Sequence, residues 1–333
     1  MDVRPVDPFD ADLLARYHEV CRRAELHERP WESIWSLAEL RARFEHPDST
    51  ERSELFAAFD GDLIVGSGIA HFALADNTDK AFAHIMVDPG HRRRGAGSLL
   101  VQHTVDHLRQ EGRTTFLAES SYRFEERETH GYRRFAEKNG FRIVNTEVIR
   151  VLGLPVADKL LGQLALDAAS HHADYRIETF TSDLPEQYLE SYCEVHNQLA
   201  TDAPSGDIDF EEESMTPEVF RQTEKRLEAT GRTRLSTVAV TGEDRVVAYT
   251  DLVVKPDPSE RVQQWGTLVD RRHRGHRLGT AVKVANLVAL QQRFPDRSQV
   301  VTSNAEVNQN MVDINDRLGF EPVAVLPMFQ RVL

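Results

Sequence analysis

Two stretches of this sequence space arginines and glycines in a way suited to holding a bulky anion. The first is Val87-Asp88-Pro89-Gly90-His91-Arg92-Arg93-Arg94-Gly95-Ala96-Gly97-Ser98. The second is Val269-Asp270-Arg271-Arg272-His273-Arg274-Gly275-His276-Arg277-Leu278-Gly279-Thr280. In each, an apolar run ends in a basic turn and an amphipathic stretch follows. A turn from strand to helix aims several backbone N–H groups, and the positive end of the helix dipole, at one point. Glycine lets a phosphate approach the backbone closely, and arginine adds charge-assisted donors. The expected chemistry is phosphate binding. It would use Arg92, Arg93, Arg94, Gly95, Ala96, Gly97 and Ser98 in one cradle, and Arg274, Gly275, His276, Arg277, Leu278, Gly279 and Thr280 in the other. Neither stretch is a Walker loop, since Gly-Lys-Ser/Thr is missing, and neither carries the Gly-x-Gly-x-x-Gly of a dinucleotide fold. Arg277 stands where the first copy has Gly95, which costs backbone freedom but keeps the N–H donors.

The elements that must position these turns follow from periodicity. Phe82 to Val87 and Trp265 to Val269 read as strands. Leu100, Val101, Val105 and Leu108 fall at helical spacing, as do Leu278, Val282, Ala285 and Ala289. The two cradle arginines Arg92 and Arg274 lie 182 residues apart. Other landmarks repeat in the same order. Tyr17-His18-Glu19-Val20 is echoed by Tyr192-Cys193-Glu194-Val195, Asp62-Leu63-Ile64-Val65 by Asp244-Arg245-Val246-Val247, and Gly140-Phe141 by Gly319-Phe320. The chain is therefore an internal duplication. Each half reads strand, two helices, hairpin, strand, cradle, helix, strand, helix, strand, which is an α/β order. The expected domains are 1–155 and 175–333, with 156–174 as linker. In this reading Arg142 to Leu152 closes the first sheet and Val323 to Val332 closes the second.

Both cradles resemble the Arg/Gln-x-x-Gly-x-Gly/Ala motif of the GNAT acyltransferases, and the order of elements over nearly the whole chain is similar to theirs. The tandem arrangement is similar to that of the mycothiol synthases. The resemblance implies two tandem GNAT-like domains, each a mixed, mostly antiparallel central sheet flanked by helices. It implies acetyl-coenzyme A, or a related acyl-coenzyme A, as co-substrate, with the pyrophosphate in the cradle and the pantetheine arm on the main chain of Val87 and Val269. It implies transfer of the acetyl group by direct attack of a primary amine on a small acceptor. In the family an Asn touches coenzyme A seven residues before a Tyr that acts as acid. Asn308 matches the Asn, and Asn304 lies just before it on the preceding strand. Asn315 takes the tyrosine position, and in the first half Thr129 and Ala136 stand at those two places. The family's strand glutamate maps to Ala81 and Gln263, so neither half has it. Glu119 on the fifth strand and His84 on the fourth are the nearby titratable groups of the first half. Catalytic candidates are therefore Glu119, Gln263 and Asn315. The segment over the acceptor cleft would be the acidic run 207–213, with Asp207, Asp209 and Phe210 as acceptor contacts. That run and Asn308 place the expected chemistry in the second half. The alternative is an acyl-coenzyme A-binding module with one or both halves inactive.

Composition narrows the classes. The 333 residues carry a net charge of −14, which argues against a nucleic-acid binder and an anionic membrane surface. No apolar run is long enough to span a bilayer, and the first residues do not read as a signal peptide. Two cysteines, Cys21 and Cys193, give no disulfide framework or cysteine metal cluster. No metal is expected, and a reducing cytoplasm fits best. The expected assembly is a monomer or homodimer acting on a small-molecule amine.

Overall fold

The computed structural model describes residues 1–257 and 261–333. In chain order the first elements are β1 (Asp2–Pro5), α1 (Ala11–Glu25), α2 (Leu37–Glu45), β2 (Glu51–Asp60), β3 (Leu63–Ala73), β4 (Lys80–Val87), α3 (Ala96–Gln110), β5 (Thr115–Glu119), α4 (Gly131–Lys138) and β6 (Arg142–Gly153). Then come α5 (Asp158–Ala169), β7 (Arg176–Thr181), α6 (Glu186–Asn197), α7 (Leu199–Asp202), α8 (Pro217–Ala229), β8 (Thr233–Val240), β9 (Val246–Val254), β10 (Val262–Val269), α9 (Leu278–Arg293), β11 (Gln299–Ala305), α10 (Gln309–Leu318) and β12 (Glu321–Val332). The fold is α/β, with a mostly antiparallel sheet flanked by helices in each half.

The chain packs into two units. The first comprises Met1–Glu147, Gly206–Ile208 and Ala324–Leu333; the second comprises Val148–Ser205 and Asp209–Val323. In the first unit the strands run in the order β1-β2-β3-β4-β5-β12. Successive side chains of a strand point to opposite faces, and β2 shows the consequence. Phe56 and Ala58 enter one core with Leu100, Val105 and Leu108 of α3. Leu55, Ala57 and Phe59 enter the other with Leu14, Tyr17 and Val20 of α1. Asp10 starts α1 by accepting from the N–H of Leu13 at 3.0 Å. Ser36 and Glu39 form a reciprocal capping box on α2, which satisfies two otherwise orphaned donors.

The second unit repeats the plan, in the order β7-β8-β9-β10-β11 followed by the part of β6 from Val148 onward. One core gathers Val284, Leu287 and Leu290 of α9 with Leu235, Leu252 and Val262. Another gathers Tyr188, Tyr192 and Val195 of α6 with Val238, Val240 and Tyr249.

Two expectations change here. The segment expected as linker contains α5, whose Leu161, Leu164 and Ala168 are buried; Leu161 and Leu164 join the α9 core. The closing strands are also exchanged. Val323 to Val332 was expected to close the second sheet, yet β12 pairs with β5, from Met328 opposite Glu119 to Val332 opposite Thr115. Leu152, expected in the first sheet, packs in the second unit's core. Two similarly patterned strands from a duplication fit either sheet, so order along the chain does not decide which one each joins.

Each unit holds one parallel pair that comes apart. β4 and β5 are in register only from Lys80 opposite Thr115 to Phe82 opposite Leu117. β10 and β11 meet only at Val262–Val300 and Gln263–Val301. Beyond those pairs each sheet opens toward its cradle.

Candidate active site

In the first unit, β4 runs into a short 3-10 turn, Pro89–His91. Asp88 fixes that turn by accepting from the N–H of Gly90 at 2.9 Å, and it is ion-paired with Arg23 at 2.6 Å. The chain then reaches Gly95, whose φ of 96° is left-handed and so suits a residue without Cβ. A Cβ there would meet nothing within 4 Å, so the space beside it is open. At Gly97 a Cβ would come within 3.0 Å of the Phe135 ring. Helix α3 begins at Ala96 with no side-chain cap. The N–H groups of Ala96, Gly97 and Ser98 have no acceptor within the helix, and Gly97 and Ser98 are half-buried and reachable. Arg93 and Arg94 are exposed. The guanidinium of Arg92 donates from Nε to the Val87 carbonyl at 3.2 Å and lies 5.5 Å from the Tyr132 ring centre. This cradle presents donors and uncompensated positive charge, and it fits a pyrophosphate.

The second cradle has the same backbone plan. Arg274 Nε donates to the Val269 carbonyl at 3.3 Å, and α9 also starts without a side-chain cap. Its surroundings differ. Leu278, Gly279 and Thr280 are buried. Arg277, at φ 53°, pairs with Asp167 at 2.5 Å. Arg274 pairs with Asp202 at 2.7 Å, and Arg271 holds the same carboxylate. His276 Nδ1 lies 3.2 Å from the His171 carbonyl, while Gly275 is exposed with open space around it.

The catalytic candidates separate by where they lie on the opening strands. Glu119 sits just past the last β4–β5 pair, at the mouth of the opening, and is half-buried. Burial, and then the carboxylates of Glu147, Glu32 and Glu25, push its carboxyl up to about 8, because a charged form that is poorly solvated and crowded by like charges is disfavoured. Gln263 lies opposite Val301, in the last registered pair before β10 and β11 part, two positions short of the place that Glu119 takes beyond its own last pair. Asn315 is fully buried. Its Oδ1 accepts from Lys283 Nζ at 2.8 Å and its Nδ2 donates to Asn304 Oδ1 at 3.1 Å. The amide is engaged in the interior and is no acid for a leaving thiol. Asn304 is itself buried, donating to the Ala305 carbonyl at 3.1 Å. Asn308 is the N-cap of α10, accepting from the Met311 N–H at 3.3 Å. Thr302 and Ser303, past the β10–β11 pair, offer no carboxylate.

The acidic run divides between the units. Gly206–Ile208 belongs to the first and Asp209 onward to the second. Asp207 accepts from Arg142 at 2.9 Å, and its N–H donates to the Val144 carbonyl at 3.0 Å. It is therefore anchored on β6 within the first unit. Asp209 is exposed and Phe210 half-buried.

Around the mouth beside Glu119 lies the segment between α1 and α2. Trp31 Nε1 donates to Ser121 Oγ at 2.7 Å, and Ser121 in turn donates to Glu32. Glu25 is ion-paired with Arg29 at 3.0 Å, and burial raises its carboxyl. His84 on β4 packs 4.9 Å from Phe82 and 6.0 Å from His71 between ring centres. Burial, and then the electrostatic influence of His71, Arg29 and Arg43, pulls it down to about 3, so it stays neutral and reads as a packed strand histidine. One functional candidate was missed. Tyr132 on α4 sits one helical turn before Ala136, on the same face, next to Arg92, and its ring meets His130 edge-on at 4.4 Å.

Residues 22–141 match the family model described as Acetyltransferase (GNAT) family. The match spans the first unit from the end of α1 through α4, including its cradle, and marks that part of the chain as similar to GNAT acetyltransferases. A solved tandem GNAT protein from the clavulanic acid biosynthesis pathway superposes with a TM-score of 0.78 at 22% identity, over 99% of this chain and 98% of that one. A GCN5-related N-acetyltransferase from Sphaerobacter thermophilus gives 0.64 at 16% identity, over 99% and 95%. A glucosamine N-acetyltransferase region of a fungal multi-domain β-N-acetylglucosaminidase gives 0.61 at 16%, over 98% of this chain and 38% of that one. At these identities the likeness is one of fold. A search of curated proteins finds no match. Proteins of that family are acetyltransferases that use acetyl-coenzyme A. Among the described residues no cluster of three or more His, Cys, Asp and Glu could hold a metal ion, and no helix is long and apolar enough to cross a membrane.

Proposed function

We propose that this tandem GNAT protein N-acetylates a small primary amine bearing positive charge, and that the first unit does the chemistry. The observation that carries the reading is the position of Glu119, at the mouth of the β4–β5 opening, in the unit whose cradle is unobstructed. Arg92, Arg93, Arg94 and the N–H groups from Gly95 to Ser98 would hold the donor pyrophosphate, and the main chain of Val87 the pantetheine arm. Acetyl-coenzyme A supplies an activated thioester. The Glu119 carboxylate takes a proton from the acceptor ammonium, since a base with a pKa near the working pH is the effective one. The Tyr132 hydroxyl is the proposed proton source for the departing thiol. Glu25, Glu32 and Glu147 surround the base with negative potential, which raises the local concentration of a cationic acceptor.

The test is thiol release from acetyl-coenzyme A with a panel of amines at two ionic strengths. Turnover is expected with cationic amines, with KM rising as salt screens the carboxylates, and Glu119→Gln is expected to abolish most of it. Saturable donor binding with no turnover on any amine would instead support the binding-module reading.

A further inference from the structure

We propose that the second cradle is occupied by the chain's own carboxylates, Asp167 and Asp202, so that each chain holds one acetyl-coenzyme A and holds it in the first unit. The inference rests on reading both turns as descendants of a donor-phosphate cradle, and four observations carry it.

Asp202, at the end of α7, has a side chain only 2% exposed. Yet it reaches two guanidiniums of the cradle turn, Arg274 at 2.7 Å and Arg271 closer still. A carboxylate bridging two arginines in the turn satisfies the donors that a phosphate would otherwise draw on. Asp167, in the last turn of α5, accepts from Arg277 at 2.5 Å and from Arg317 at 2.6 Å. Arg277 also donates to the main-chain carbonyl of Asp167 at 3.3 Å. Beyond α5 the chain continues along the same turn, where His171 meets His276 and the Tyr175 hydroxyl lies 2.9 Å from His273 Nδ1. Finally, the start of α9 is buried from Leu278 to Thr280, where the start of α3 leaves Gly97 and Ser98 reachable.

The contrast within one molecule is the control. Arg92, Arg93 and Arg94 make no ion pair among the described residues, whereas Arg271, Arg274 and Arg277 each have an aspartate of their own unit. The glycine-to-arginine change at Arg277 fits the same account. A position that once let a phosphate reach the backbone now carries the side chain that holds Asp167. The second unit has kept the turn and replaced its ligand.

The experiment counts donor sites by calorimetric titration of the full chain with coenzyme A. The native chain is expected to bind one equivalent, with binding weakened by Arg92→Ala and unchanged by the pair Arg271→Ala and Arg274→Ala. The pair Asp167→Ala and Asp202→Ala is expected to bind a second equivalent, lost again on adding Arg274→Ala, with a thermal melt confirming that the variant is folded. Two equivalents on the native chain, or a lost equivalent in the arginine pair, overturn the proposal without needing the aspartate variant to fold. A folded aspartate variant that still binds one equivalent overturns it too. Should the native chain bind none, the proposed donor site of the first unit fails; the aspartate variant then decides the present proposal alone, one equivalent supporting it and none overturning it.

Discussion

At the scale of single residues, the chemistry turns on where a titratable group lies along an opening strand pair. Glu119 and Gln263 were both candidates from sequence, but Gln263 faces Val301 where the strands still pair, and Glu119 lies past that point. Glu119→Gln should lower kcat by about two orders of magnitude, the usual scale of a lost general base, with little change in donor affinity. In the native enzyme kcat/KM should rise with pH through a limb near pH 8, where this carboxyl titrates. Its effect on stability has the opposite sense. The folded state keeps the proton to higher pH than the unfolded chain, whose glutamate titrates near 4.3, so stability contributed by the protonated form is lost as pH rises from about 4.5 to about 8. At pH 9 the Gln variant should therefore melt about 2 °C above native, on the scale expected for roughly 1 kcal/mol in a unit of this size. Tyr132→Phe should lower kcat more than it changes KM for the amine; equal activity of the Phe enzyme would remove the hydroxyl from the mechanism. The place of Glu119 at a strand end was legible in the sequence because it closes a short apolar run. Tyr132 was not found because the family's spacing points to Ala136, and only the helix face shows that a residue one turn earlier covers the same spot.

At the scale of elements, the cradles were legible because everything that defines them is local: strand, turn, glycines, helix. What surrounds them was not. Asn315 matched a family position by spacing, but spacing along α10 cannot tell that Lys283 and Asn304 wait on the inside to engage its amide. Asn308 shows the same limit, since an Asn before a helix is as suited to capping as to ligand contact. Helix α5 was legible and overlooked: Leu161, Leu164 and Ala168 have the spacing of one buried helical face. Gly95→Ala should weaken coenzyme A binding and cost about 1 kcal/mol of stability, since a Cβ at a φ of 96° is strained even with free space around it; an unchanged melt and affinity would count against the turn geometry. Lys283 gives a prediction with a worked sign. Burial pulls its ammonium down to about 7, against about 10.4 in an unfolded chain. Between those values the unfolded chain binds more protons, so stability should rise with pH from about 7 to about 10. In denaturant titrations Lys283→Met should flatten that rise. A slope unaltered by the substitution would mean that the ammonium is better solvated than its burial indicates.

At the scale of the whole molecule, duplication was legible from landmarks recurring in order, and the sharing of strands was not. Chain order predicts neighbouring strands in most folds, and here the two halves offer interchangeable closing strands, so the sequence holds no local signal for the exchange. The structure assigns Val325 and Phe329, near the C-terminus, to the first unit's core beside Phe116 and Tyr122. Deleting residues 324–333 should therefore damage the first unit although its motif lies more than two hundred residues away in sequence. Donor binding at Arg92 is expected to be lost in the truncated chain, and a fragment 1–155 is expected to be poorly folded on its own. A fragment 1–155 that melts cooperatively and binds coenzyme A would show that β12 is dispensable.

That exchanged strand also sets a schedule during synthesis. Translation delivers the chain from its N-terminus at roughly 5–20 residues per second, and β5 emerges long before the residues that will lie against it. Until the ribosome reaches Val332, the edge of β5 that meets β12 carries unpaired backbone donors and acceptors, and such an edge is a template for wrong partners. The domain made first is thus the one that finishes last. Nascent first-unit chains should remain protease-sensitive until β12 has emerged, and a stop codon placed anywhere before residue 324 should yield a product that engages chaperones rather than a smaller working enzyme.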